Sequence, residues 1–131
     1  MPVLMSRTLK TTVLVDAVVT GAAAALMMLG APLLAGPLGL PHNLLFMSGA
    51  VLVPFVALLV FLAGASRVSR LLMFVIIGIN LAWVAASLFV AFGPVFAPTL
   101  LGKVFVCAQA AAVLAFAEFQ MLGLKRSAAA T

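Results

Sequence analysis

Four long apolar stretches, separated by short turns, make up almost all of this chain. They run over about 11–35, 43–65, 71–92 and 99–124. A hydrocarbon layer about 30 Å thick takes roughly 20 helical residues at about 1.5 Å each, so every stretch is long enough to cross it. The runs are unbroken rather than alternating, which selects helices over a barrel. The turns are Gly36 to His42, Ser66 to Arg70 and Gly93 to Pro98, with Thr99 placed to start the last helix. Short connections make antiparallel neighbours of consecutive helices. The pattern predicts an all-α membrane protein, an antiparallel up-down-up-down bundle of four transmembrane helices in a single domain over 1–131.

Composition agrees. Of 131 residues, 67% are hydrophobic and 7% charged, against about 45–50% and about 25% in a soluble domain. A basic start before an apolar run is the outline of a signal peptide, but Asp16 interrupts this one and the run continues to about Ala35. The net charge of +5 would suggest nucleic acid in a soluble protein. Here the basic residues flank the spans, so no nucleic acid is expected and the charge reads as topology. Arg7, Lys10, Arg67, Arg70, Lys125 and Arg126 fall on one side and Lys103 on the other, which places both termini in the cytoplasm. The tail from Lys125 to Thr131 is expected to fray.

Polar groups at membrane depth carry the chemistry. Asp16 and Glu118 are the only acids and lie about 10 Å inside the cytoplasmic boundary, with Gln120 slightly shallower. Asn80 and Gln109 fall near the midplane, as does Pro54, which leaves the Ala50 carbonyl without its helical partner. Asn80 or Gln109 is expected to hydrogen-bond to that carbonyl or to the other amide. An intramembrane carboxyl reads by default as functional: a proton carrier, a cation site or a partner's counter-ion. The competing reading is structural, with Asp16 paired to Lys10, Arg67 or Arg70 and Glu118 reaching Lys125. Asp16, Glu118, Asn80 and Gln109 are therefore the candidate ligand or proton site. If the first and fourth helices are adjacent, the two acids would share a pocket.

Helical angle sorts the faces, at about 100° per residue. Thr12, Asp16, Thr20, Ala23 and Met27 share one face of the first helix, and Ala17, Gly21 and Ala25 form a small-residue stripe away from it. On the third, Asn80, Trp83 and Ser87 share a face with Gly78, Ala82 and Ala86 roughly opposite. On the fourth, Ala108, Ala111, Ala112 and Ala115 form a central stripe. Gln109, Phe116 and Gln120 flank it on one side and Glu118 on the other. Small residues at this spacing let helices approach closely, so the stripes are candidate packing faces within the bundle or toward a partner.

No catalytic set is legible. His42 is a lone turn histidine and Cys107 a lone cysteine, so neither a triad, a disulfide nor a metal site is expected, and no cofactor. Trp83 sits near mid-span, where it packs or stacks on a hydrophobic ligand.

Three segments, PLLAGPLGLP, GINLAWVAAS and FAEFQMLGLKR, together give the chain a resemblance to small bacterial four-helix inner-membrane proteins described as DoxX-like. The resemblance implies a bacterial cytoplasmic membrane and carries no catalytic residue across. Beyond the lipid bilayer, the expected partners are a second copy or a larger membrane complex. Two functions are expected from these features. The first is an accessory or self-associating protein working through helix contacts. The second is a transporter or binder of a small or hydrophobic ligand in a carboxyl and amide pocket. An enzyme acting on a lipid or quinone ranks third.

Overall fold

The computed structural model describes residues 2–127. Its helices are α1 (Arg7–Leu38), α2 (His42–Ala63), α3 (Arg70–Phe92) and α4 (Leu100–Arg126). All four are long and apolar enough to cross a membrane, and the fold is an all-α four-helix bundle. Two three-residue strands, β1 (Pro2–Leu4) and β2 (Arg67–Ser69), pair antiparallel with Val3 opposite Val68.

The helix ends follow local chemistry. Ser6 caps α1 by accepting the Leu9 N–H, so the helix begins four residues before the apolar stretch. At the other end Pro37, expected in a turn, lies in the last turn of α1. A proline already has helical φ, and the missing N–H is one bond near a helix end. Gly39 then stops the helix in the left-handed region, φ 67°, and returns its N–H to Ala35 and Gly36. Ser69 and Thr99 cap α3 and α4, each accepting a backbone N–H three residues on. Lys125 and Arg126 are helical, and the rest of the expected frayed tail after Ser127 lies outside the described residues.

Both ends of the α1–α4 pair are latched. The Ser6 N–H donates to Ser127 Oγ, while the Ser6 and Ser127 hydroxyls both donate to the Gly123 carbonyl. At the far end the Thr99 N–H donates to the Leu38 carbonyl and its hydroxyl to the Pro37 carbonyl. The β1–β2 pair was not foreseen from the sequence. It folds the chain start against the α2–α3 connection, with Val68 buried beside Leu9 and Leu62.

Contacts run in opposite senses along each packed pair. Gly21 meets Val56 while Gly49 meets Ala24 and Met28; Leu9 meets Gly123 while Leu38 meets Gly102. α1 packs on α2 and on α4, and α3 packs on α4. The exception to the expectation that consecutive helices are neighbours is α2 and α3, whose backbones stay apart. Their side chains join one core near the sheet, through Leu59, Leu62, Met73 and Ile76. Beyond that core, α2 is held to α1 and α3 to α4.

The closest approaches are not at the small-residue stripes. Ala17 is buried and Gly21 touches Val56, but Ala25, Gly78, Ala82, Ala86, Ala108 and Ala111 face outward, with Ala112 and Ala115 half-buried. Single glycines make the seams instead. A Cβ at Gly49 would lie 2.8 Å from the Ala24 carbonyl oxygen, one at Gly123 2.7 Å from the Leu9 backbone, and one at Gly102 would strike the Leu38 carbonyl. Gly78 has nothing within 4 Å of that position. Gly123→Ala and Gly49→Ala should each lower stability in detergent by about 1–3 kcal/mol through overpacking. Gly78→Ala should leave it unchanged or raise it slightly, as Ala does in a helix. Thermal unfolding of the three variants checks both directions; an equal drop at Gly78 would contradict this packing.

Candidate functional site

An aspartate in an apolar bundle needs partners, and three helices supply them. Asp16 on α1 is completely buried. Its Oδ1 accepts from the Thr20 hydroxyl one turn on, at 2.6 Å. Its Oδ2 accepts from Gln120 Nε2 on α4 at 2.6 Å and from Asn80 Nδ2 on α3 at 3.2 Å. Asn80 Nδ2 also donates to Gln120 Oε1 at 2.9 Å, closing the ring. Gln120 is completely buried and Asn80 3% exposed, and no buried side-chain polar atom of the described residues lacks a partner. All four members are thus locked by one another's bonds.

None of these partners is a cation. The expected pairing of Asp16 with Lys10, Arg67 or Arg70 is not what the fold builds: Lys10 and Arg67 face outward and Arg70 is half-buried at the start of α3. Amide and hydroxyl donors reach inward on short stems, whereas a long basic side chain can send its charge to the membrane surface at lower cost.

A second polar group lies farther from the sheet. Trp83 Nε1–H donates to Gln109 Oε1 at 2.7 Å. Gln109 Nε2 donates to Ser87 Oγ at 2.8 Å and to the Val106 carbonyl at 2.9 Å, and the Ser87 hydroxyl donates to the Trp83 carbonyl at 2.7 Å. This group fastens α3 to α4. The two amides therefore bond neither to each other nor, through their side chains, to the carbonyl left by Pro54, and Pro54 itself faces outward.

The two groups frame two neighbouring chambers, which share Trp83 and Gln109 in their walls. The central one, about 80 Å³, is lined by Thr20, Leu52, Phe55, Asn80, Trp83 and Gln109 among others. The outer one, about 160 Å³, is lined by Met27, Leu44, Leu45, Ser48, Ser87 and Phe105, and again by Trp83 and Gln109. Both have walls from α2 and α3, the helices whose backbones stay apart. The walls are apolar apart from a few convergent polar groups, which is the usual make-up of a small-molecule site.

The sequence-derived candidates thus divide. Asp16 and Asn80 come together; Gln109 shares only the wall of the central chamber with Asn80. Glu118 faces outward in a groove with Ile77, Leu81, Ala117 and Met121, away from Asp16. α1 and α4 are adjacent, as the shared-pocket expectation required, but Glu118 and Gln120 lie about 200° apart on α4 and only Gln120 points inward. Gln120, Thr20, Trp83 and Ser87 were legible as members of shared helix faces; that these faces turn inward, and the residues' roles as partners, were not. Lys103 holds its ammonium 5.9 Å from the Phe92 ring. Among the described residues no group of three His, Cys, Asp or Glu side chains is placed to hold a metal ion. The chain matches no protein-family model, no curated protein and no solved structure.

Asp16→Asn puts an N–H against donors that need an acceptor, and Asn80→Leu takes one donor from a buried carboxylate. Each should destabilise the fold by about 1–3 kcal/mol. Gln120→Leu in the Asp16→Asn background should cost less than the sum of the two single changes, because the groups are coupled. Unfolding midpoints of the single and double variants test this, and strict additivity would refute the ring.

Proposed function

We propose that this protein binds a small hydrophobic molecule taken from the bilayer, in the two chambers inside the bundle, entered along the seam between α2 and α3. One observation carries the reading: all four helices line both chambers, and of the helix pairs expected to touch, α2 and α3 alone keep their backbones apart beside them. Lipid-soluble molecules can reach such a seam sideways, without crossing a polar headgroup layer. The outer chamber alone matches in size an apolar cavity of about 150 Å³ that takes a benzene-sized guest. Trp83 borders both chambers and is the only tryptophan, so it reports on either. The role is binding or carriage; among the described residues lining the space no nucleophile and base converge.

The setting we propose is a bacterial cytoplasmic membrane with both termini inside, supported by the basic flanks and by the resemblance of the chain to small inner-membrane proteins. A reporter fused after Ser127 should then behave as cytoplasmic and one inserted at His42 as external.

In nanodiscs, a long-chain bromoalkane should quench Trp83 fluorescence in a saturable way. Ser48→Phe, in the outer chamber, and Ala112→Leu, in the central one, should each raise the half-saturating mole fraction at least about fivefold, an occupancy loss of about 1 kcal/mol. Quenching that rises linearly with bromoalkane, as for random lipid contact, would sink the proposal.

Self-association is a second reading, favoured by the outward-facing Gly78, Ala82 and Ala111, where small residues leave helix backbones open to approach. Native mass spectrometry after gentle extraction separates the two. A stoichiometric second copy that Gly78→Leu abolishes supports association; a monomer carrying a bound small molecule supports the chambers.

A further inference from the structure

We infer that the ligand of the central chamber carries a hydrogen-bond donor, an O–H or N–H, on an otherwise apolar body. The inference rests on the binding role proposed above and comes from counting donors around that chamber.

Four polar side chains line it: Thr20, Asn80, Trp83 and Gln109. Each has already used its hydrogens. Thr20 has one hydroxyl hydrogen and gives it to Asp16 Oδ1. Asn80 has two amide hydrogens and gives them to Asp16 Oδ2 and Gln120 Oε1. Trp83 gives its single N–H to Gln109 Oε1. Gln109 gives its two to Ser87 Oγ and the Val106 carbonyl. What these groups have left is acceptor capacity: both lone pairs of Asn80 Oδ1, the remaining lone pairs of Thr20 Oγ1, and a second one on Gln109 Oε1.

The amides turn their nitrogens toward Asp16: Gln120 Nε2 and Asn80 Nδ2 both donate to its Oδ2, the arrangement that an ionised carboxyl, which only accepts, requires. Gln120 then presents its oxygen to Asn80, which answers with its second hydrogen. Flipping Asn80 would set its oxygen against two acceptors, Asp16 Oδ2 and Gln120 Oε1. Asn80 Oδ1 is therefore directed out of the ring on a side chain that is 97% buried and borders the chamber. It takes no hydrogen bond from the described residues, yet no fully enclosed polar atom is left unpartnered, so this oxygen opens into the chamber. A hydroxyl or amine brought in on an apolar ligand satisfies it; a ketone, ether or ester oxygen meets another acceptor and loses.

The test compares two probes in nanodiscs: a terminally brominated long-chain alcohol and its methyl ether, titrated by mole fraction against Trp83 fluorescence. The alcohol is expected to half-saturate at a mole fraction about fivefold to tenfold below the ether, the worth of one ordinary hydrogen bond. In Asn80→Leu the preference is expected to vanish. Because that change also strips Asp16 of a donor, the wild-type comparison decides the matter by itself. Equal saturation by both probes, or a preference for the ether, would overturn the donor requirement while leaving the chambers a ligand site. Saturation by neither, in a protein that retains its thermal transition, would overturn the binding role and this inference together.

Discussion

The structure depends on how one carboxyl group is kept in an apolar bundle without a counter-ion. An aspartate at the centre of a membrane helix costs about 2.5–3.5 kcal/mol on insertion scales. Side-chain hydrogen bonds between membrane helices are worth about 0.6–2 kcal/mol each, so a set of three is of the same size as that cost. The bonds must come from short neutral donors at fixed places, and that demand links α1, α3 and α4 at one level. α1 and α3 have little backbone contact of their own. The Asp16–Asn80 bond is what ties them across the bundle, and it sets the rotation of α3 so that Trp83 and Ser87, on the same face, meet Gln109.

Everything else strengthens the α1–α4 axis and leaves one seam slack. The Ser6–Ser127 and Leu38–Thr99 latches hold that pair at its two ends, and Asp16–Gln120 holds it between them. α2 is drawn onto α1 where Gly49 admits the Ala24 carbonyl and Met28. α3 is drawn onto α4 by two amides. With no comparable device between α2 and α3, the volume that a tighter bundle would fill stays open as the two chambers. In lipid, where apolar surface gains little by burial, a seam lacking polar bonds or close backbone contact has little to shut it.

The spans, their approximate ends and the grouping of residues on shared faces were legible because they rest on hydrophobicity and a fixed 100° turn; which face turns inward was not. Asp16, Thr20 and Met27 do face inward together, as do Asn80, Trp83 and Ser87. The vertical register between helices was not legible, because it is set by the end latches. Counting from Lys10 put Asp16 well short of Asn80. Counted from the helix starts at Arg7 and Arg70, the two are nine and ten residues in, one layer rather than two. That difference sent Asn80 to Asp16 instead of to Gln109. The packing glycines escaped for another reason: Gly49, Gly102 and Gly123 each act alone against one opposing backbone, which leaves no periodic mark in a sequence. Glu118 looked like a twin of Asp16 because both are acids at similar depth, yet the helical angle that turned Gln120 inward had already turned Glu118 out.

The same constraint that stabilises the bundle shapes what its interior can recognise. A carboxyl group buried in an apolar bundle must draw donors, and side chains hold a limited number. A carboxylate is the greediest acceptor, so placing one beside a chamber pulls the N–H and O–H groups of the lining toward itself. The lining then faces the chamber with oxygen lone pairs. Had the buried group been a lysine or arginine, the amides would have turned the other way and offered N–H groups to the space. On the proposed binding role, ligand polarity would be decided one residue behind the wall, by Asp16, which borders neither chamber itself. On that role, a structural and a functional reading of Asp16 would not be alternatives: the bonds that hold it in the bundle are the bonds that orient Asn80 and Thr20.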